Sequence, residues 1–143
     1  MGLINELFGK KIFLDTAPLI YFMEEVSDFL PQLTDLFSIS NNCRFATSVI
    51  TLSEVLVMPL RERKMQLAKQ YMEIFTKSEN MEIFDINIEI AKKTAKIRAD
   101  YSIRTPDAIQ LAAAKYCLAD YFLTNDLRLK TFKDLNIIVL SDL

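Results

Sequence analysis

The chain has 143 residues, of which 51% are hydrophobic and 25% are charged, the size and composition of one globular domain with a substantial core. It contains no histidine, which excludes Ser-His-Asp and Cys-His catalysis and His-ligated zinc and leaves carboxylates as the main reactive groups. The net charge of −2 and the pI near 5.2 argue against a protein that coats nucleic acid by bulk charge.

The composition gives no sign of a linker, because the chain has only two Gly and four Pro. We therefore predict a single domain over residues 1–143. Cys43 and Cys117 lack CxxC spacing and are expected to be buried thiols of a protein in a reducing compartment. No stretch is apolar for long enough to be a signal peptide or to cross a bilayer, so we expect a cytoplasmic protein without a membrane partner.

The first predicted strand, Ile12 to Asp15, runs from apolar residues straight into a carboxylate. Such a run is typical of the central strand of a parallel sheet. Thr16 is a candidate N-cap and Pro18 suits an early helical position, so a helix is expected to begin at once. Asp15 therefore lies at a strand-to-helix junction, where open α/β sheets bind ligands, although Asp is also common there as a capping residue.

The next elements are a helix from Asp28 to Phe37, a short strand from Arg44 to Thr47 and a helix from Val49 to Met58 that Pro59 is expected to close. The last of these helices is apolar almost all round. Its one charge is Glu54, which either belongs to a functional site or points to solvent and pairs with a nearby arginine, Arg61 or Arg63.

The middle of the chain predicts a helix from Arg61 to Lys77, an outer strand from Met81 to Asp85 and a helix from Asn87 to Tyr101. Four basic residues on the last helix form the best candidate for a nucleic-acid patch. They are Lys92, Lys93, Lys96 and Arg98. A row of this kind more commonly keeps a helix soluble.

The last third begins with a helix opened by Thr105, Pro106 and Asp107, in which Thr105 can cap the helix and the helix dipole favours an anion at Asp107. A buried strand, Tyr121 to Leu123, then leads into Thr124 and Asp126. A short helical connection from 127 to 132 and a strand from 137 to 140 complete the chain. Strands and helices alternate, which predicts a parallel sheet between two layers of helices.

Four acidic residues share a predicted location, at the ends of two strands and in the first or second turns of two helices beside them. They are Asp15, Glu54, Asp107 and Asp126. Crowded carboxylates repel one another unless cations neutralise them, and an all-oxygen ligand set suits Mg²⁺ or Mn²⁺. Such a site activates water for in-line attack on phosphorus without needing histidine. The Thr124 hydroxyl is expected to hold a carboxylate or a metal-bound water there.

Four segments of the chain resemble the acidic motifs of PIN-domain ribonucleases, and most closely those of the VapC-type toxins of VapBC toxin–antitoxin pairs. These segments are Phe13–Thr16, Ser48–Leu56, Arg104–Ala112 and Leu123–Asp126. The resemblance spans nearly the whole chain, from Ile12 to Leu140. One departure is Ser102, where relatives often have Gly, which affects a turn and not the acids.

The resemblance implies a three-layer α/β/α fold with a five-stranded parallel sheet of order 3-2-1-4-5. It also implies Mg²⁺- or Mn²⁺-dependent endonuclease activity on RNA, a homodimer, and inhibition by a small antitoxin whose C-terminal segment lies in the active-site groove. Carried over by position, Asp15 and Asp107 are the most direct metal ligands, and Glu54 and Asp126 complete the acidic cluster.

Other functions fit the sequence less well. A haloacid-dehalogenase-type phosphotransferase needs a second Asp two positions after Asp15, where this chain has Ala17. A receiver-type phosphoacceptor domain needs an earlier acidic pair and a late Lys that are not evident, and no glycine-rich nucleotide-binding motif is present. The non-enzymatic alternative is a catalytically silent PIN-fold module that binds protein or RNA. Loss of an acid would indicate such a module, and none is missing.

Overall fold

A computed structural model describes residues 3–26, 28–38 and 42–143. Seven helices appear in this part of the chain: α1 Leu3–Glu6, α2 Thr16–Met23, α3 Leu30–Leu36, α4 Val49–Arg61, α5 Met65–Lys77, α6 Ile88–Asp100 and α7 Thr105–Tyr116. Five strands accompany them: β1 Lys11–Leu14, β2 Arg44–Ser48, β3 Met81–Phe84, β4 Tyr121–Thr124 and β5 Ile137–Val139. Two short 3₁₀ helices, Leu127–Thr131 and Leu140–Asp142, lie on either side of β5.

The strands form one parallel sheet of order β3-β2-β1-β4-β5. The predicted order 3-2-1-4-5 and the three-layer α/β/α architecture are therefore confirmed. Phe13 of β1 lies beside Ala46 of β2 and Phe122 of β4, and the two aromatic rings stack with their centroids 5.6 Å apart. Because every strand runs in the same direction, the carboxyl ends of β1 and β4 end at one edge of the sheet.

Alternate residues of the central strands face two separate hydrophobic layers. Phe13 and Phe122 pack with buried residues of α6 and α7, such as Ile97 and Leu111. Ile12, Leu14, Phe45 and Leu123 pack on the opposite face with residues that include Leu33 and Leu36 of α3. The near-continuous apolar run of each central strand follows from this burial on both faces.

The structure corrects one predicted helix end and two caps. Pro59 lies inside α4 and does not end the helix, because a proline in the last turn costs little when the following amides still find carbonyls. The N–H of Glu62 donates to Met58 at 2.9 Å and that of Lys64 to Pro59 at 2.8 Å. The N-cap of α2 is Asp15, where the sequence favoured Thr16, and that of α7 is Arg104, where it favoured Thr105.

A third apolar cluster joins α2, α4 and α5 around Tyr71, whose side chain is fully buried. The Tyr71 hydroxyl donates a 2.6 Å hydrogen bond to Glu24 Oε2, just beyond the end of α2. This bond ties α5 to the end of α2, the helix that follows Asp15.

Replacing Tyr71 with Phe is expected to lower the free energy of unfolding by about 1 kcal/mol, because one hydrogen bond to a charged group is lost while the ring remains packed. The measurement is urea denaturation followed by far-UV circular dichroism. Tyr116→Phe, at a half-exposed ring that packs on Phe84, is the matched control. Equal stability of the two variants would contradict the assigned role of the Tyr71 hydroxyl.

The two cysteines are buried and are not joined by a disulfide, as predicted. Burial raises the pKa of both thiols. The Cys43 thiol donates to the carbonyl of Leu7, and the Cys117 thiol donates to that of Ala114. In the described ranges no helix is both long and apolar enough to cross a membrane.

Candidate active site

Asp15 is the first residue beyond β1 and caps α2. Its Oδ1 accepts the N–H of Thr16 at 2.9 Å, and its Oδ2 accepts the hydroxyl of Thr124 at 2.7 Å. The Asp15 amide in turn donates to the carbonyl of Leu123 at 2.9 Å. The end of β4 therefore fixes both the backbone and the carboxylate of Asp15, and Thr124 lies where the sequence predicted a supporting hydroxyl.

Glu54 reaches the same edge from the second turn of α4. Its Oε1 accepts the hydroxyl of Thr16 at 2.6 Å. The sequence left open whether Glu54 turns toward a functional site or pairs with Arg61 or Arg63. The structure places its carboxylate against the residue that follows Asp15.

Asp107 lies in the first turn of α7, where the helix dipole favours an anion. Burial raises the pKa of its carboxyl group, and the neighbouring Asp126 and Glu54 raise it further, while Arg104 lowers it. The ion pair with Arg104 is long, with Nε 3.7 Å from Oδ2. Arg128 also lowers the pKa of Asp107, so this carboxylate lies near two other acids and two arginines.

Asp126 follows β4 and caps the 3₁₀ helix at Leu127. Its Oδ1 accepts the backbone N–H and the Nε–H of Arg128, both at 3.0 Å, and its Oδ2 accepts Nη2 of Arg128 at 2.8 Å. These bonds from Arg128 hold the pKa of Asp126 below its usual range. The amide of Asp126 also donates to the Thr124 hydroxyl at 3.1 Å, so Thr124 connects Asp126 to Asp15.

The four acids predicted from the sequence thus lie at one edge of the sheet and act on one another electrostatically. The pKa of Asp15 is raised, and burial is the largest cause. The charges of Asp107 and Glu54 raise it further, while the hydrogen bonds from Thr124 and Thr16 lower it. A cluster of carboxylates that disfavour one another's ionised forms attracts positive charge.

The carboxylates do not converge on a single point in this arrangement. Within residues 3–26, 28–38 and 42–143, no three acidic or thiol side chains are placed so that they could hold a metal ion. In this arrangement Asp15, Glu54 and Asp126 accept hydrogen bonds from neighbouring side chains, and Asp107 pairs with Arg104. The donor set itself, which consists of carboxylate and hydroxyl oxygens only, fits a hard divalent cation such as Mg²⁺ or Mn²⁺.

A buried chain of polar side chains beneath the acids was not predicted. Ser48 donates to Oε1 of Gln110, and Nε2 of Gln110 donates to the hydroxyl of Thr51. The hydroxyls of Thr51 and Thr47 lie 2.8 Å apart, and Thr47 donates to the carbonyl of Leu14 at 2.8 Å. All four polar side chains are buried. The chain joins β1, β2, α4 and α7, the elements next to Asp15, Glu54 and Asp107.

One sequence signal could have revealed this network. Gln110 is a large amide inside an otherwise apolar stretch of helix from Ala108 to Ala114. A buried amide needs partners, and the segment from 47 to 51 offers three hydroxyl side chains, of which Ser48 also caps α4.

The basic row on α6 is exposed. Lys92 pairs with Glu89 at 3.5 Å and Lys96 pairs with Asp100 at 3.0 Å, both on the same helix. These two pairs fit the more common interpretation of the row as a solvated helix surface.

Comparison with protein families agrees with this arrangement of strands and acids. The family model of the PIN domain matches residues 12–135. The chain belongs to the PIN domain family. Curated protein sequences include no significant match to it.

Several solved structures share the fold of this PIN domain. VapBC2 from Rickettsia felis, bound to a DNA fragment from the promoter, superposes with a TM-score of 0.71 at 19% identity, covering 90% of this chain and 98% of that one. A toxin–antitoxin complex from Klebsiella pneumoniae superposes with a TM-score of 0.69 at 22% identity, covering 92% of this chain and 99% of that one. VapC20 from Mycobacterium tuberculosis, described as a sarcin-ricin loop cleaving toxin, superposes with a TM-score of 0.64 at 15% identity. The match covers 78% of this chain and 86% of that one. At these identities the likeness concerns the fold.

Proposed function

We propose that this PIN domain is a Mg²⁺- or Mn²⁺-dependent endoribonuclease and the toxin of a type II toxin–antitoxin pair. The observation that supports the activity best is the environment of Asp15. Its carboxylate is held from both sides by Thr16 and Thr124, and the charges of Asp107 and Glu54 act on it. This is an anionic site at the carboxyl edge of a parallel sheet, where open α/β folds bind ligands.

Each side chain has a distinct task in the proposed site. Asp15 and Asp107 would be the direct ligands of the cation, with Glu54 and Asp126 completing its acidic surroundings. Thr124 and Thr16 orient the carboxylates of Asp15 and Glu54 through the 2.7 Å and 2.6 Å hydrogen bonds. A divalent cation bound there supplies the charge that lets water attack a phosphodiester in line.

The activity is tested with the purified protein on short single-stranded and stem-loop RNAs, with Mg²⁺ or Mn²⁺ and with EDTA. Asp107→Asn is expected to lower cleavage about a hundredfold, because one charged ligand of the cation is lost. Asp134→Asn is the matched control. Asp134 is an exposed acid outside the site, and its Oδ2 lies 3.4 Å from Nζ of Lys115. Cleavage that resists EDTA, or an Asp107→Asn variant as active as the control, would contradict the proposal.

We also propose that the protein is a cytoplasmic homodimer and that a small antitoxin, encoded beside it, inhibits it through a C-terminal segment in the active-site groove. The proposal is supported by the fold neighbours that are themselves toxin–antitoxin complexes. Co-expression with the neighbouring reading frame, followed by co-purification and light scattering, tests it. Failure of a small neighbouring protein to co-purify or to reduce cleavage would contradict the inhibitory role.

One observation favours a second function, a catalytically silent PIN module. Asp107 and Asp126 are both paired with arginines, which neutralise part of the acidic cluster. The silent module predicts that no RNA is hydrolysed with either metal although a partner still binds. Calorimetric titration of Mn²⁺ into wild type and Glu54→Gln separates the two, because the nuclease is expected to lose metal affinity on this substitution.

A further inference from the structure

Two arginines lie across the acidic edge and hold two of its four carboxylates. Arg128 grips Asp126 with two parallel bonds, from Nε at 3.0 Å and from Nη2 at 2.8 Å. Arg104 reaches Asp107 over a longer distance of 3.7 Å. Both arginine side chains are largely in solvent, 79% and 76% exposed, whereas the carboxylates are 27% and 19% exposed. The arginines therefore cover acids that are more deeply placed than they are.

The same four side chains line one cavity of about 290 Å³. Ser102, Ile103, Leu129 and Thr131 complete its walls. Each arginine also lowers the pKa of the acid with which it does not pair. Arg128 lowers the pKa of Asp107, and Arg104 lowers that of Asp126. The cavity is therefore an electrostatic unit of two acids and two arginines.

A cation that binds Asp107 and has Asp126 in its acidic surroundings competes electrostatically with both arginines. Ion pairs of exposed arginines contribute little to stability, so a divalent cation can displace them at small cost. The freed guanidinium groups would still line the cavity, next to the acids. A planar guanidinium suits the oxygens of a phosphodiester, which it can bind with two parallel hydrogen bonds.

We propose that Arg104 and Arg128 are exchangeable counter-ions, which hold Asp107 and Asp126 in the metal-free protein and move to the phosphodiester backbone of RNA when a divalent cation takes their place. The proposal rests on the proposed nuclease function and adds the RNA-backbone subsite beside the metal. Metal binding adds two positive charges at this point of a chain with a net charge of −2, and so favours the approach of a polyanion.

The exchange predicts effects of opposite sign on two ligands. Arg128→Gln and Arg104→Gln are each expected to tighten Mn²⁺ binding about threefold, because a competing cation has gone. The same variants are expected to weaken RNA binding about fivefold and to lower the slope of log affinity against log salt by about 1, because one phosphate contact is lost. An arginine that acts only through its charge would give the same two signs, but Arg128→Lys would then behave as wild type, because lysine keeps the charge and loses only the parallel bonds.

Mn²⁺ binding is measured by calorimetry on the RNA-free protein. RNA binding is measured by fluorescence anisotropy with a 12-nucleotide single-stranded RNA of mixed sequence and Ca²⁺ in place of Mn²⁺, and a denaturing gel checks that the RNA stays intact. Lys96→Gln is the matched control, because Lys96 forms an exposed pair with Asp100 on α6 and its loss changes the net charge by the same amount.

The outcomes separate this proposal from the proposed function. Mn²⁺ binding that is unchanged or weaker in both arginine variants overturns the exchange, as does RNA binding reduced no more than in Lys96→Gln. Wild-type protein that binds no Mn²⁺ and cleaves no RNA overturns the nuclease function itself, and the exchange with it, before any variant is made. Arg128→Lys, which keeps the charge without the parallel bonds, is expected to fall between wild type and Arg128→Gln.

Discussion

Replacing Asp15 with Asn is expected to lower metal-dependent RNA cleavage about a thousandfold while leaving the fold at least as stable as wild type in EDTA. The loss of activity follows from removing the charge of the most enclosed proposed ligand, and a thousandfold corresponds to about 4 kcal/mol of transition-state stabilisation. The gain or retention of stability follows because burial and the charges of Asp107 and Glu54 all disfavour an ionised Asp15.

The substitution keeps the helix cap but alters the contact with Thr124, because an NH2 group at the position of Oδ2 donates to the hydroxyl that the carboxylate accepts. Asn caps a helix as well as Asp does, so its side-chain oxygen can still accept the N–H of Thr16. Cleavage is measured on a gel and stability by urea denaturation. Asp120→Asn is the matched control, because Asp120 also accepts a backbone N–H, that of Lys11, at the opposite edge of the sheet. An Asp15→Asn protein that cleaves as well as this control would rule out the proposed site.

Replacing Gln110 with Leu is expected to lower the free energy of unfolding by about 3 kcal/mol, because Ser48 and Thr51 each lose a buried hydrogen-bond partner. The apolar side chain is similar in size but cannot satisfy either hydroxyl. Urea denaturation measured by circular dichroism gives the change. Gln70→Leu is the matched control, since Gln70 lies on the exposed side of α5 and is expected to change stability by less than about 0.5 kcal/mol.

The Gln110 network also sets the positions of the elements that carry the acids. The same variant is therefore expected to lower kcat for RNA cleavage by a larger factor than it raises KM. Gln110→Glu keeps one acceptor for Ser48 but buries a carboxyl group without a counter-ion, so it is expected to be at least as destabilising as Gln110→Leu. If Gln110→Leu proves as stable as Gln70→Leu, the buried polar chain does not hold these elements together.

The sheet could be predicted from the sequence because its signals are local. The central strand is an apolar run that ends in Asp15, and each of the other strands stands between helical patterns. Parallel direction follows from that alternation. The order of the strands does not follow from it, because neighbours in a sheet are chosen by contacts between distant segments. The resemblance to PIN domains supplied that order.

The ends of helices were less predictable, since they depend on which backbone groups find partners. Thr16 is a good N-cap by type, but the folded chain uses Asp15 as the cap and gives the Thr16 hydroxyl to Glu54. Pro59 is a helix breaker by type, yet α4 continues to Arg61. In the first case the contact between Thr16 and Glu54, far apart in sequence, decides the outcome. In the second case the backbone hydrogen bonds made just beyond α4 decide it.

The acids of the candidate site could be proposed from sequence because each one follows a strand or opens a helix at one edge. The hydrogen-bond and ion-pair partners of these acids could not be predicted from the sequence. The pairing of Arg128 with Asp126 requires a tight 3₁₀ turn after β4, and the contact from Thr124 to Asp15 requires β1 and β4 to be neighbours. The prediction of four carboxylates crowded at one edge left out these partners, the Thr124 hydroxyl on Asp15 and the Arg128 side chain on Asp126.

The burial of both cysteines has a practical consequence for experiments on this protein. Thiols with raised pKa values stay protonated at neutral pH, and a protonated, enclosed thiol reacts slowly with electrophiles. A maleimide dye offered to the native protein will therefore modify a cysteine introduced at an exposed position well before it reaches Cys43 or Cys117. A fluorophore can be attached at a chosen point of the surface without first engineering a cysteine-free background.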